Sequence, residues 1–99
     1  MNERTKALSI NSKTKMAVAE RDGGRCILCG RRGSPNAHYI SRAHGGMGVE
    51  RNIVTLCWDC HLRYDQTTER VGIGRIIEDY LKEKYPDWDP AELVYRKEQ

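Results

Sequence analysis

The fold is decided by residues 21–65, which read RDGGRCILCGRRGSPNAHYISRAHGGMGVERNIVTLCWDCHLRYD. This stretch contains two Cys-x-x-Cys pairs, Cys26/Cys29 and Cys57/Cys60, separated by 27 residues. A Cys-x-x-Cys turn lets two thiolates reach one ion, and two such turns complete the tetrahedral four-sulfur set that suits Zn²⁺. Because four thiolates leave no open coordination position, the predicted zinc is structural and not catalytic.

Two other interpretations of the cysteines are a pair of disulfides and a thioredoxin-like redox site. The first residues include Glu3, Arg4 and Lys6 and contain no apolar run typical of a signal peptide. No stretch approaches the roughly 20 apolar residues of a membrane span, so we expect a cytoplasmic protein without membrane contact. In a reducing compartment, paired cysteines are more often metal ligands than disulfides.

The length and charge of the chain narrow its class. Its 99 residues are enough for one domain, and with 38% apolar and 31% charged residues the core is small, so a metal site would supply needed stability. Residues 1–52 carry ten Lys or Arg against four Asp or Glu, whereas residues 53–99 carry seven against ten. A basic first half fits a protein that places one face on phosphates, although it also fits an ordinary solvated surface.

Glycines and polar caps divide the first half of the chain into one helix and several short pieces. Ser12 is the predicted N-cap of a helix over residues 13–21. Short strands and loops are expected over residues 25–55, with a strand over residues 37–41. The predicted apolar contacts of the helix are Met16, Val18 and Ala19.

Two longer helices are expected in the second half. One begins near Trp58 and carries His61 and Asp65. The other runs from about residue 71 to 85, because apolar residues recur there at helical spacing and form a stripe that packs on the core. The residues of this stripe are Ile73, Ile76, Ile77, Tyr80 and Leu81.

These elements predict a small zinc-stabilised α+β domain with flanking segments. We expect a polar N-terminal leader over residues 1–11, the zinc-containing domain over residues 12–85 and a C-terminal extension over residues 86–99. In the extension, Asp89 is followed by Pro90, the order of an N-cap and a first helical residue, so a short helix should begin there.

The three histidines, His38, His44 and His61, lie between the cysteine pairs or directly after them. His61 and Asp65 are four residues apart, so on a helix both side chains project from one face and could hold one cation. A nitrogen and a carboxylate oxygen suit Mg²⁺, Mn²⁺, Ni²⁺ or Zn²⁺. Taken alone, such a pair more often makes only a surface hydrogen bond.

The order of these residues resembles the HNH endonuclease motif, in which a strand histidine, a turn asparagine and a helix histidine form a ββα-metal nuclease site. The resemblance covers residues 21–65 and is strongest to small zinc-ribbon HNH nucleases of phages and prophages, some of which nick one DNA strand. It implies a ββα-metal core and a divalent-metal-dependent DNA endonuclease in a bacterial cytoplasm. The matching residues are His38, Arg42, Gly45, Gly46, Asn52 and His61.

The resemblance also implies a role for each position. His38 would be the general base that accepts a proton from the attacking water, and Asn52 would brace the loop and help to orient this base. His61 would bind the catalytic Mg²⁺, Mn²⁺ or Ni²⁺, and Asp65 stands where many relatives have a second helix ligand. Arg42 would contact a DNA phosphate, the alternative being an exposed residue before the loop.

One position departs from the family pattern. The residue before the base histidine is usually Asp or His and supplies a metal ligand, whereas this chain has Ala37. Coordination would then fall to His61, Asp65 and water, unless Asn36 or His44 turns inward. Ala37 also supports an alternative function, a non-catalytic zinc-ribbon module that binds nucleic acid. A zinc domain that binds only proteins would leave the histidines unexplained, so we expect DNA to be the partner. We also expect the protein to be a monomer or a weak dimer.

Overall fold

Two short antiparallel strands form the sheet of the structure, a computed structural model that describes residues 2–97. Strand β1 spans Ser34–His38 and strand β2 spans Ile53–Leu56, with Ala37 paired to Val54. A bulge between Ser34 and Ala37 shifts the register. All four residues of β2 are buried, which fits an apolar strand covered on both faces.

Helices surround this sheet and complete the α+β fold that the sequence predicts. The α-helices of the described residues are α1 (Glu3–Leu8), α2 (Ser12–Asp22), α3 (Trp58–Gln66) and α4 (Arg70–Lys84). Three 3₁₀ turns span Arg42–His44, Glu50–Asn52 and Pro90–Leu93. Within residues 2–97, no helix is both long and apolar enough to cross a membrane.

The first strand lies three residues earlier than the predicted strand over residues 37–41. One backbone bond continues past His38, from Tyr39 N to Asn52 O at 2.7 Å, and at Ile40 the partner across the sheet becomes a side chain. The amide oxygen of Asn52 accepts from Ile40 N at 2.8 Å, and its amide nitrogen donates to Ile40 O at 3.1 Å. The chain therefore leaves the strand at His38 and enters a loop held by Asn52.

Helix α2 agrees with the predicted helix except at its start and at one apolar contact. Its N-cap is Asn11, whose side chain accepts from Thr14 N at 2.8 Å, and Ser12 is the first helical residue. Val18 is fully buried as predicted, but Met16 is 73% exposed and does not belong to the core. The helix ends at Gly23, which has the left-handed φ of 67° that favours glycine.

The segment predicted as a polar leader contains a helix, α1, that its sequence pattern does not indicate. Asn2 caps α1 by accepting from Thr5 N at 2.7 Å. Leu8 at the other end is only 2% exposed, and the backbone N of Gly48 donates to Ala7 O at 3.0 Å. Residues 3–8 are therefore packed on the body of the domain.

Helix α4 is confirmed as a core helix, and the C-terminal segment completes the core. Ile73, Ile77 and Leu81 are buried, whereas Ile76, at the edge of the predicted stripe, is 54% exposed. The expected C-terminal helix is the third 3₁₀ turn, and Asp89 caps it by accepting from Ala91 N at 3.0 Å.

A buried ion pair ties α2 to the sheet and to α4. The Arg21 and Asp22 side chains are 10% and 0% exposed, and Arg21 Nε lies 2.7 Å from Asp22 Oδ1. Asp22 also accepts from Thr55 N at 2.9 Å and from the Tyr80 hydroxyl. Burial by itself raises the pKa of Asp22, but the hydrogen bonds from Arg21 and Tyr80 outweigh it and lower that pKa.

Candidate functional site

The four cysteines form one cluster. All four are free, and their Sγ atoms lie within 4.8 Å of one another, with 3.6 Å between Cys29 and Cys57. Four sulfurs placed tetrahedrally about 2.3 Å from one zinc ion would be roughly 3.8 Å apart. The cluster therefore has the size of a four-thiolate metal site and not the arrangement of two separate pairs.

Local structure shapes the cysteine cluster and favours the thiolate form at Cys26. Gly30 follows the first pair with a φ of 80°, and Cys57 is the N-cap of α3, where its sulfur accepts from Cys60 N at 3.4 Å. Burial raises the pKa of Cys26, but backbone N–H groups, first that of Cys57 and then that of Cys29, bring the pKa down to about 7. Cys26 is thus close to the thiolate form that binds metals.

A separate cleft of about 790 Å³ lies on the other side of α3. Cys60 belongs to the cysteine cluster, while the next residue, His61, lines the cleft. Four predicted site residues therefore meet here although they come from three elements. The charged and titratable residues that line the cleft include His38, Arg42, His61, Asp65, Lys15 and Arg70.

His61 and Asp65 lie together on α3, as their spacing predicts. His61 Nε2 is 3.1 Å from Asp65 Oδ2, and Arg70 Nη1 is 3.7 Å from Asp65 Oδ1. In the described part of the chain, only the cysteines gather three or more side chains of metal-ligand type. An ion held by His61 and Asp65 would therefore need water or substrate oxygens to complete its coordination.

His38, at the end of β1, is fixed through one ring nitrogen. Its Nε2 lies 2.9 Å from the backbone oxygen of Leu8. A carbonyl oxygen can only accept, so Nε2 carries the proton and Nδ1 keeps its lone pair. Burial, supported by the nearby charge of Arg42, lowers the pKa of His38 despite the opposing bond to Leu8. A neutral ring with an acceptor nitrogen is the form of a general base.

Asn52 is completely buried and does not line the cleft. In addition to its two bonds with Ile40, its amide nitrogen donates to Met47 O at 2.8 Å. A Cβ on Gly46 would lie 1.7 Å from Ile40 O, so only glycine allows this close approach. Asn52 thus holds both ends of the loop over residues 39–48, as a bracing asparagine would.

The C-terminal segment holds the same loop from outside. Met47 N donates to Leu93 O at 2.8 Å, and Tyr95 N donates to Gly45 O at 2.8 Å. These bonds form a short bridge between Gly46 and Val94. The loop is therefore fixed by a side chain beneath it and by a backbone segment beside it.

Ala37, the position that departs from the family pattern, lies in the core, whereas the neighbouring polar residues line the cleft. Ala37 is fully buried in the core cluster and does not line the cleft, whereas Asn36, His44 and the exposed Arg42 do. Successive strand residues point to opposite faces, so the Ala37 side chain is directed away from its neighbours. His44 is 2.8 Å from Ser41 through Nδ1 and Oγ.

Three contributions to the cleft were not predicted from the sequence. Lys15 of α2 and Arg70 of α4 line it, and the Leu8 carbonyl contacts His38. Arg70 is positioned by Tyr64, donating to its backbone oxygen at 3.2 Å and lying 4.3 Å from its ring centroid. The excess of Lys and Arg over residues 1–52 pointed to basic side chains such as Lys15, but no sequence motif singled out Lys15, Arg70 or Leu8.

Comparison with known proteins agrees with this arrangement. A family model described as HNH endonuclease matches residues 26–67. Searches of curated proteins and of solved structures gave no significant match. The matched range contains both cysteine pairs and the strand, loop and helix that carry His38, Asn52 and His61. The HNH match over residues 26–67, together with the antiparallel strands followed by a helix and the four-cysteine cluster, supports an HNH-type domain of the zinc-ribbon kind.

Proposed function

We propose that this protein is a divalent-metal-dependent DNA endonuclease that hydrolyses phosphodiester bonds in the cleft with one catalytic ion. The observation that carries the proposal is the meeting of His38 with the His61 and Asp65 pair on one cleft surface. These side chains come from β1 and α3, and nucleic-acid binding alone does not require a half-buried neutral histidine beside a nitrogen and carboxylate pair.

In this proposal His38 is the general base. Its Nδ1 accepts a proton from the water that attacks the phosphorus, while Nε2–H stays bonded to Leu8 O. The lowered pKa of His38 keeps the ring neutral near pH 7, so the acceptor is present at physiological pH.

The donor set on α3 fits a small divalent ion. Neighbouring ligands of an octahedral ion with bonds of about 2.1 Å lie roughly 3.0 Å apart, and His61 Nε2 and Asp65 Oδ2 are separated by 3.1 Å. Bound there, Mg²⁺, Mn²⁺ or Ni²⁺ would supply Lewis-acid stabilisation of the phosphate and of the departing 3′ oxygen. Arg70 on the other carboxylate oxygen would keep Asp65 turned toward His61.

Positive side chains from three elements would bind the DNA backbone. Lys15 lies on α2, Arg42 on the first 3₁₀ turn and Arg70 at the start of α4, and all three line the cleft. Lys and Arg on phosphates supply most of the sequence-independent affinity of DNA-binding proteins. We therefore assign these residues to phosphates near the scissile bond.

The cysteine cluster would hold a structural zinc ion. It occupies a different side of α3 from the cleft, and its four thiols leave no open position for substrate. Zinc-holding free cysteines are typical of a reducing compartment, so a cytoplasmic location is part of the proposal.

The second candidate is a zinc-ribbon module that binds nucleic acid without cutting it. Ala37 in the core and the pairing of only two ligand side chains on α3 favour it. Cleavage separates the two functions, because a pure binding module would shift DNA mobility without producing nicked or linear plasmid.

The test uses zinc-loaded protein and supercoiled plasmid in metal-free buffer, with Mg²⁺, Mn²⁺ or Ni²⁺ added separately and EDTA as the blank. We expect metal-dependent nicked or linear product from the natural protein and little from His38→Ala, whose zinc content and DNA binding should be unchanged. The ratio of nicked to linear product over time gives the nicking preference. DNA binding without cleavage in every metal would favour the binding module.

A further inference from the structure

Helix α1 lies outside the residues that match the HNH family, yet it is docked beside the cleft. Leu8 is buried, and Ala7 O accepts from Gly48 N at 3.0 Å. A Cβ on Gly48 would lie 2.1 Å from Ser9 O and 2.5 Å from Ser9 C, so the backbones touch where Gly48 has no side chain. The end of α1 is thus held against the loop by close packing.

This docking delivers a free carbonyl to His38. The last carbonyls of a helix lack partners within the helix. In α1, Thr5 O accepts from Ser9 N at 3.1 Å, whereas Leu8 O is directed to His38 Nε2 at 2.9 Å. The contact joins residues 30 positions apart and fixes both the orientation and the tautomer of the ring.

We propose that α1 is a positioning element of the active site, in which the Leu8 carbonyl holds His38 in the Nε2–H tautomer so that Nδ1 is the acceptor in the cleft. This inference rests on the proposed role of His38 as the base. Leu8 is a positioning residue because it acts through His38 and does not touch the substrate. The residues matched to the family would then contain the base but not the carbonyl that fixes its tautomer.

Two variants of the 99-residue chain disturb this contact from opposite sides. Gly48→Ala inserts a methyl group against the Ser9 backbone, and Leu8→Ala removes the buried anchor of α1 without altering the loop. Gly72→Ala in α4 is the matched control, because an added Cβ there meets nothing within 4 Å. Zinc content confirms that each variant retains the folded cluster.

The first readout is the tautomer of His38, measured at pH 8 from the side-chain nitrogen shifts of ¹⁵N-labelled, zinc-loaded protein. The natural protein and Gly72→Ala should show one Nε2–H form, and the two α1 variants a mixture. The second readout is plasmid cleavage at saturating Mg²⁺. The α1 variants should lose roughly 10-fold or more, up to the roughly 10²-fold expected for loss of a general base.

The outcomes separate this inference from the proposed function. An Nδ1–H form in the natural protein, or α1 variants with an unchanged tautomer and unchanged cleavage, would overturn the positioning role. If no protein cuts DNA but the tautomer shifts as described, α1 still positions His38 and the nuclease proposal is the part that fails.

Discussion

The positive charges around the cleft lead to a quantitative prediction about DNA binding. Lys15, Arg42 and Arg70 line the cleft from three different elements. Each phosphate neutralised on duplex DNA adds about 0.9 to the slope of log affinity against log salt concentration. Three contacts should therefore contribute about 2.7 to the slope for the natural protein.

The size of this contribution can be measured directly. Between 50 and 200 mM KCl the salt concentration rises fourfold, so three contacts should account for a loss of roughly 40-fold in affinity. Fluorescence anisotropy with a short labelled duplex and zinc-loaded protein in metal-free buffer avoids cleavage. Lys15→Ala, Arg42→Gln and Arg70→Gln should each lower the slope by about 0.9, and the triple variant by about 2.7.

A matched control lies on the same helix as Lys15. Lys13 is exposed two residues earlier on α2 and does not line the cleft, so Lys13→Ala should leave the slope unchanged. If the triple variant keeps the natural slope, or if Lys13→Ala lowers it as much as Lys15→Ala does, the DNA does not lie in this cleft.

Four further predictions concern the metal, the base, the zinc cluster and the core. Asp65→Asn should raise the Mg²⁺ concentration needed for half-maximal cleavage more than it lowers the rate at saturation, and an unchanged titration would place the ion elsewhere. His38→Ala should reduce cleavage by roughly 10²-fold or more. Because burial lowers the pKa of His38, the acid limb of the natural protein's pH–rate profile should lie below pH ~6.5, the pKa of a free imidazole. An acid limb above that pH would contradict the assignment of His38 as the base. Cys29→Ser should abolish or weaken zinc binding and unfold much of the domain, which zinc analysis and circular dichroism would measure; full folding without zinc would refute it. Asp22→Asn should lower the free energy of unfolding, measured in urea at pH 7, by about 3 kcal/mol, because it removes the carboxylate that balances the charge of the buried Arg21 and leaves this side chain only neutral hydrogen-bond partners. The pKa of Asp22 is lowered in the folded state, so its stabilisation is present above pH ~4 and is lost as pH falls through the folded pKa; a deficit that stays constant into acid would contradict this.

Local patterns in the sequence predicted the parts of the site that depend on spacing along the chain. The two cysteine pairs form one cluster, and His61 and Asp65 share one face of a helix that begins at Trp58. These results follow from the reach of a Cys-x-x-Cys turn and from the period of the α-helix, neither of which needs a distant residue.

Contacts between distant segments could not be predicted in this way. β1 ends early because the Asn52 side chain replaces the strand partner of Ile40. These two residues are 12 positions apart, so the local sequence pattern does not predict their contact. Residues 3–8 are mostly polar and show no apolar stripe, so they did not indicate a helix. This helix is anchored by one buried residue, Leu8. Arg70 belongs to the cleft only because α4 begins beside α3.

The bridge between Gly46 and Val94 has a consequence for how a minimal fragment can be cut from this chain. The loop over residues 39–48 donates hydrogen bonds to Ala7 O of α1 and to Leu93 O of the third 3₁₀ turn, and it accepts one from Tyr95 N. A recombinant peptide limited to residues 26–67 would keep every candidate catalytic side chain and lose both of these outer supports. For this reason we expect the smallest fragment that folds alone to include the backbone neighbours of this loop, so that its boundaries are wider than those of the chemical motif.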